Sequence, residues 1–195
     1  MKKGTDNMKS MMSKINARKR ESGFSVVELM IAVSVGAILL TGVGPTFSAV
    51  VHKNRISAAT TQLYVSLNAA RSEALKRRSA VRVCPSADST SCRDDGDWSD
   101  GWLIYEDVNT NNAPDAAEII QLIDGLDGEI NMQVSTALSE YVQFQPTGAA
   151  IGNGGNTGEF RLCHSDSSVY SKAVNISVSG RVNSVTRTRT DCDAS

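Results

Sequence analysis

Glu28 is the first residue whose chemistry needs explaining, because it is an acid at the fifth position of Phe24-Ser25-Val26-Val27-Glu28, which opens a long apolar run. An ionised carboxylate at a bilayer centre costs about 2.5–3.5 kcal/mol or more, so a partner must offset its desolvation. Asp107, Asn109, Asn111, Asp115 and Glu118 in DVNTNNAPDAAE fall at the oxygen-ligand positions of an EF-hand-like calcium loop. Asn112 stands where glycine is usual, and asparagine tolerates the left-handed backbone that this position needs. The plain alternative is a polar connection between two strands. Toward the C-terminus, Arg181, Arg187 and Arg189 could each neutralise a phosphate, the last two from one face if the stretch is a strand. A charged edge strand that discourages sheet pairing is the alternative there.

Catalysis finds no comparable support. His52 and His164 have no metal or nucleophile partner by spacing, and no phosphate-cradling glycine motif follows a strand. Turn geometry and solubility account for Asp94, Asp95, Asp97 and Asp100 in DDGDWSDGW. An enzyme is therefore not expected, and calcium at the Asp107 loop is the one candidate cofactor. Cys84, Cys92, Cys163 and Cys192 make an even count that suggests disulfides in an oxidising compartment. Three connectivities are open. Cys84–Cys92 with Cys163–Cys192 is preferred, since the second bond would pin the tail, and the C-x2-C spacing of zinc folds is missing.

The elements that must position these residues begin with a stem. No charge occurs from residue 29 to 51, and about 20 apolar residues at about 1.5 Å each cover a hydrocarbon core of about 30 Å. Lys2, Lys3, Lys9, Lys14, Arg18, Lys19 and Arg20 precede it against Asp6 and Glu21, so the leader is expected in the cytoplasm and the remainder outside. A secretory signal peptide is the rival, but its apolar core is usually about 7–15 residues and ends at a small-residue cleavage site. Taking the seven bases and two acids of residues 1–23 from the totals of 20 and 21 leaves 13 bases and 19 acids, a net charge of −6. Such a body does not attract nucleic acid by bulk charge, so binding would need a local patch.

Gly42, Gly44 and Pro45 predict a kink or local melting of the stem. Beyond them Ile56, Thr60, Leu63, Leu67, Ala70 and Ala74 recur at helical spacing, with Arg55, Arg71, Lys76 and Arg77 mostly off that stripe. This half is expected to leave the membrane and pack on a globular head. After residue 80 the runs AVRVC, GWLIYED, EIIQLI, EINMQV, YVQFQ, EFRLC and AVNISVSGRV read as strands, and GAAIGNGGNTG as a loop between strands. Helix first and strands after predict an α+β architecture.

The basic leader followed by Gly23-Phe24-Ser25-Val26-Val27-Glu28 and an apolar helix resembles the processing signal of type IV pilins and pseudopilins. That resemblance implies cleavage by a prepilin peptidase between Gly23 and Phe24 and N-methylation of Phe24. It also gives Glu28 a purpose, since its carboxylate can pair with the α-amino group of a neighbouring subunit's Phe24 in a filament of apolar stems. The stretches CRDDGDWSDGWLIYEDVNTNN, FQPTGAAIGNGGNTGEFRLC and VNISVSGRV are similar to the GspH/FimT branch. This branch implies the type IV pilin fold, with two antiparallel sheets on the long helix, and a place at or near a filament tip.

The expected organisation is a cytoplasmic leader over 1–23, a transmembrane and filament-core helix over 24–51, an amphipathic helix over 52–80 and a β-rich head over 81–195. The expected location is the inner membrane, single-pass with a periplasmic head, and then the pilus at the cell surface. Expected partners are the prepilin peptidase, other minor and major pilins and the inner membrane, with double-stranded DNA a further candidate. The expected function is that of a minor pilin supporting pilus assembly and pilus-dependent twitching, adhesion and DNA uptake. A minor pseudopilin of type II secretion and a DNA-binding pilin are the alternatives. For the last, a Gly-Arg-x-Arg motif of the FimT branch matches Gly180-Arg181-Val182-Asn183, with Asn183 in place of the second arginine.

Overall fold

A computed structural model describes residues 23–155, 158–165, 171–187 and 192, and of residues 39–47 only the helical backbone. The chain divides into two compact units, residues 1–44 and 45–195. Helix α1 runs Val26–Arg77 and enters both. The backbone stays helical through Gly42, Gly44 and Pro45 rather than melting there. A proline inside a helix removes one donor and crowds the carbonyl four residues back, a disturbance confined to about one turn.

In the first unit the described stem side chains are exposed on every side. Among the described residues, no helix is long and apolar enough to cross a membrane. The side chains of residues 39–47, in the middle of the expected 24–51 span, lie outside that statement.

In the second unit α1 turns amphipathic. Ile56, Leu63, Leu67, Ala70 and Ala74 are fully buried and Thr60 nearly so, the stripe that the helical spacing predicts. The helix ends as Arg78 turns left-handed at φ 58°. Arg77 pairs with Glu73 at 2.6 Å and with Glu106 on the next-but-one element at 2.8 Å.

Nine strands follow: β1 Val81–Pro85, β2 Gly101–Glu106, β3 Ile119–Asp124, β4 Ile130–Val134, β5 Val142–Phe144, β6 Ala150–Gly152, β7 Gly158–His164, β8 Ser171–Ile176 and β9 Val182–Arg187. They form two antiparallel sheets, one ordered β3-β2-β1-β5-β6 and the other β4-β7-β8-β9. Alternation aims each strand: Val81 and Val83 of β1 and Phe160 and Leu162 of β7 are buried, while Arg82 and Arg161 between them are less so. One core joins Leu63, Leu67 and Ala70 of α1 to Val83, Phe144, Phe160 and Val174. Its indoles are satisfied: Trp102 donates to the Ser66 hydroxyl at 2.9 Å and Trp98 to the Ser139 carbonyl at 2.8 Å.

Two strand expectations need correction. GAAIGNGGNTG holds β6, which a Gln145-to-Gly148 turn folds onto β5, with Gly148 N–H donating to Gln145 O at 2.7 Å and Gly148 at φ 80°. AVNISVSGRV is two strands rather than one. Gly180 N–H donates to Ser177 O at 2.7 Å with Gly180 at φ 71°, which turns β8 into β9.

Candidate functional site

At the N-terminal end, Ser25 supplies the carbonyl that accepts from Leu29 N–H at 3.1 Å, so the helix starts just after Phe24. Gly23 and Phe24 lie ahead of it in non-helical backbone, both exposed, with nothing within 4 Å of a Cβ placed at Gly23. A peptidase can reach such a bond without unwinding a helix. Glu28 sits exposed in the first turn, where the positive end of the helix dipole favours a carboxylate. Around it Phe24 is 81% exposed, and Val26, Val27, Leu29, Met30, Ile31, Val33 and Ile38 are exposed on all faces.

The cysteines pair as Cys84–Cys92, with Cα atoms 5.6 Å apart, and Cys163–Cys192, at 6.1 Å. Inside the first loop the Asp88 carboxylate accepts from Thr90 N–H at 2.9 Å and Ser91 N–H at 2.8 Å, which holds its pKa well below the usual carboxylate range. Gln133 Nε2 reaches the Cys192 carbonyl at 3.1 Å, tying the tail to β4.

The Asp107 loop connects β2 to β3. Asn112 takes the left-handed backbone, φ 63°, expected of that position. The oxygens, however, are engaged within the loop. Glu118 accepts from Val108 N–H at 2.9 Å and Asp115 N–H at 3.3 Å, and Asp115 accepts from the Asn109 amide at 2.6 Å and the Asn111 amide at 3.3 Å. Asp107 Oδ2 accepts from Asn112 N–H at 3.1 Å, while its Oδ1 is buried without a hydrogen bond. These bonds brace the loop from within, and a calcium ion, which takes about 6–8 oxygens, would have to displace several of them.

The C-terminal arginines separate. Arg181 is exposed at one end of β9 and Arg187 lies at the other, where it pairs with Glu159 at 2.5 Å. Arg161 also meets Glu159, at 2.8 Å, and the two guanidiniums outweigh partial burial to lower that carboxyl's pKa. Arg189 lies outside the described residues. A groove beside α1 collects Tyr64, Lys172, Arg181 and Asn183 instead. Gly180 has a structural reason, since its φ is positive and a Cβ there would collide with the Gly148 carbonyl.

Sequence spacing missed one juxtaposition. His52 of α1, His164 at the end of β7 and Glu129 just before β4 bring ligand atoms within 4.8 Å of one another. Only the β4–β7 register, which sets Ile130 opposite His164, puts the acid beside the histidine, and nothing local in the sequence reports it.

The family model described as type II transport protein GspH matches residues 59–180, and the prokaryotic N-terminal methylation motif matches residues 18–44. The type IV minor pilin FimU of Pseudomonas aeruginosa is similar in fold in two crystal forms. One superposes with a TM-score of 0.53 at 21% identity over 70% of this chain and 91% of that one. The other gives 0.51 at 21% identity over 69% and 94%. The minor pseudopilin EpsH of the Vibrio cholerae type 2 secretion system gives 0.50 at 8% identity over 68% and 97%. No curated protein sequence matches the chain significantly.

Proposed function

Since the chain belongs to the GspH/FimT family of type IV minor pilins and pseudopilins, we propose that it is a filament subunit that waits in the inner membrane and assembles through its stem. The observation that carries this reading is an apolar helix exposed on every face, with Glu28 as the acid in its first turn. Prepilin peptidase removes residues 1–23, Phe24 becomes the methylated N-terminus, and the head stays on the periplasmic side. In lipid the Glu28 carboxylate is costly. Among packed stems it meets the α-amino group of a neighbouring Phe24, and the gain favours transfer into the filament. The head then contacts other minor and major pilins at or near the tip and supports pilus-dependent functions. The intact mass of the chain recovered from membranes tests the first step: loss of residues 1–23 with one added methyl supports it, and an uncut chain opposes it. Co-purification separates the pilus reading from the type II secretion reading, by whether pilus subunits or secretion pseudopilins accompany the chain.

A second reading, capture of double-stranded DNA, is supported by the groove that sets Arg181 and Lys172 beside Tyr64. Two cations could contact phosphates there while the phenol ring supports the strand from the side.

A further inference from the structure

We propose that His52, Glu129 and His164 form a binding site for one divalent transition-metal ion of the zinc class. The chain has two histidines, and the fold brings both to one carboxylate. His164 Nε2 lies 3.4 Å and His52 Nδ1 3.9 Å from Glu129 Oε2. The two rings are 4.2 Å apart between centroids and tilted by 56°. Tetrahedral coordination with bonds of about 2.0–2.1 Å puts ligand atoms about 3.4 Å apart. The His164–Glu129 pair is already at that spacing, and the contacts of His52, at 3.9 Å to Glu129 and within 4.8 Å to His164, must close to it.

The donor set selects the ion. Two imidazole nitrogens and one carboxylate oxygen suit zinc, copper, nickel or cobalt, whereas calcium and magnesium prefer oxygen alone. The supports are firm on two sides. Ser165 N–H donates to the Glu129 carbonyl at 2.8 Å, which clamps the acid to the end of β7, and the adjacent Cys163 is bonded to Cys192. His164 is 1% exposed in its side chain, whereas Glu129 is 46% exposed, so an ion enters from the carboxylate side and keeps a fourth position open. Arg55 is the competitor, since Nη1 pairs with Glu129 Oε2 and also lies 3.1 Å from Asp127. Metal binding therefore moves Arg55 fully onto Asp127. The ion would add a crosslink from α1 to β4 and β7, at a junction that Arg55 already bridges through Glu129 and Asp127 and that the β4–β7 ladder holds on the sheet side.

The test uses the full-length chain in mild detergent, purified without a polyhistidine tag, titrated with Co2+ and then displaced by Zn2+. One ion per chain is expected, with the visible absorption of nitrogen- and oxygen-ligated cobalt. His52→Ala and Glu129→Gln, both at partly exposed positions, should each weaken binding by at least about tenfold, with unchanged circular dichroism. A folded wild-type chain that binds no Co2+ or Zn2+ would overturn the site, as would binding that survives both substitutions.

Discussion

Arg71 Nε of α1 donates to the Gly148 carbonyl at 3.0 Å, and its Nη2 donates to the Ser179 carbonyl at 3.0 Å. One guanidinium thus binds the β5–β6 turn of one sheet and the β8–β9 turn of the other to the helix. Ala150 N–H reaches Val178 O at 3.1 Å and links the same two turns directly.

Gly180 closes this junction at φ 71°, against the Gly148 carbonyl. Gly180→Ala should destabilise the head by about 1–3 kcal/mol or more, through the strained backbone and the collision. Arg71→Ala, which leaves two carbonyls without a charged donor, should cost about 1–3 kcal/mol. Denaturant unfolding of the full-length chain in mild detergent measures both, and a Gly180→Ala chain as stable as wild type would contradict the role given to the turn.

Each disulfide closes a loop of different length, with sequence separations of 8 for Cys84–Cys92 and 29 for Cys163–Cys192. Loop-closure entropy gives about 2.5 and about 3.6 kcal/mol for the two. Serine replacement of the Cys163–Cys192 pair should therefore lower stability more than replacement of the Cys84–Cys92 pair, by about 1 kcal/mol in unfolding free energy. The reverse order would show that local strain or residual structure outweighs loop length.

Asp88 predicts a pH signature. Its carboxylate is held by the Thr90 and Ser91 backbone N–H groups, which depress its pKa below the ordinary 3.8. A depressed carboxylate stabilises the fold above the unfolded value and loses that contribution as pH falls through the folded one. Asp88→Asn should melt below wild type from neutral pH down to about 4, with the gap closing at lower pH. A gap that stays constant into strong acid would mean that the carboxylate charge is not what braces the loop.

Legibility followed locality. The buried stripe of Ile56, Leu63, Leu67, Ala70 and Ala74 could be read because helical spacing depends only on neighbours along the chain. Most strands were readable from alternation. β6, with three residues inside a glycine-rich stretch, and the β8–β9 turn at Gly180 were not, because a short strand and a tight turn leave little pattern. The calcium spacing at Asp107 was visible, but spacing cannot say that Glu118 and Asp115 accept from the loop's own donors. Nor could it show Glu129 beside His164, which depends on sheet register, or His52 beside both, which depends on how α1 packs on the strands.

DNA capture predicts unequal arginines. Arg187 is engaged by Glu159, whereas Arg181 lines the groove with Lys172. On a duplex-DNA salt series, Arg181→Ala should weaken binding more than Arg187→Ala and flatten the salt slope by about one charge. Equal losses, or no binding by the folded chain at low salt, would remove this reading and leave the assembly role.

Glu28 carries the central claim, that a carboxylate costly in lipid drives the stem into a filament. The most direct measurement compares wild type with Glu28→Val in filaments sheared from producing cells, with N-terminal mass as a control for processing. The expected result is a Glu28→Val chain cut before Phe24 but retained in the membrane, while wild type appears in the filament fraction. A correctly processed Glu28→Val chain that enters filaments at the wild-type level would contradict the claim.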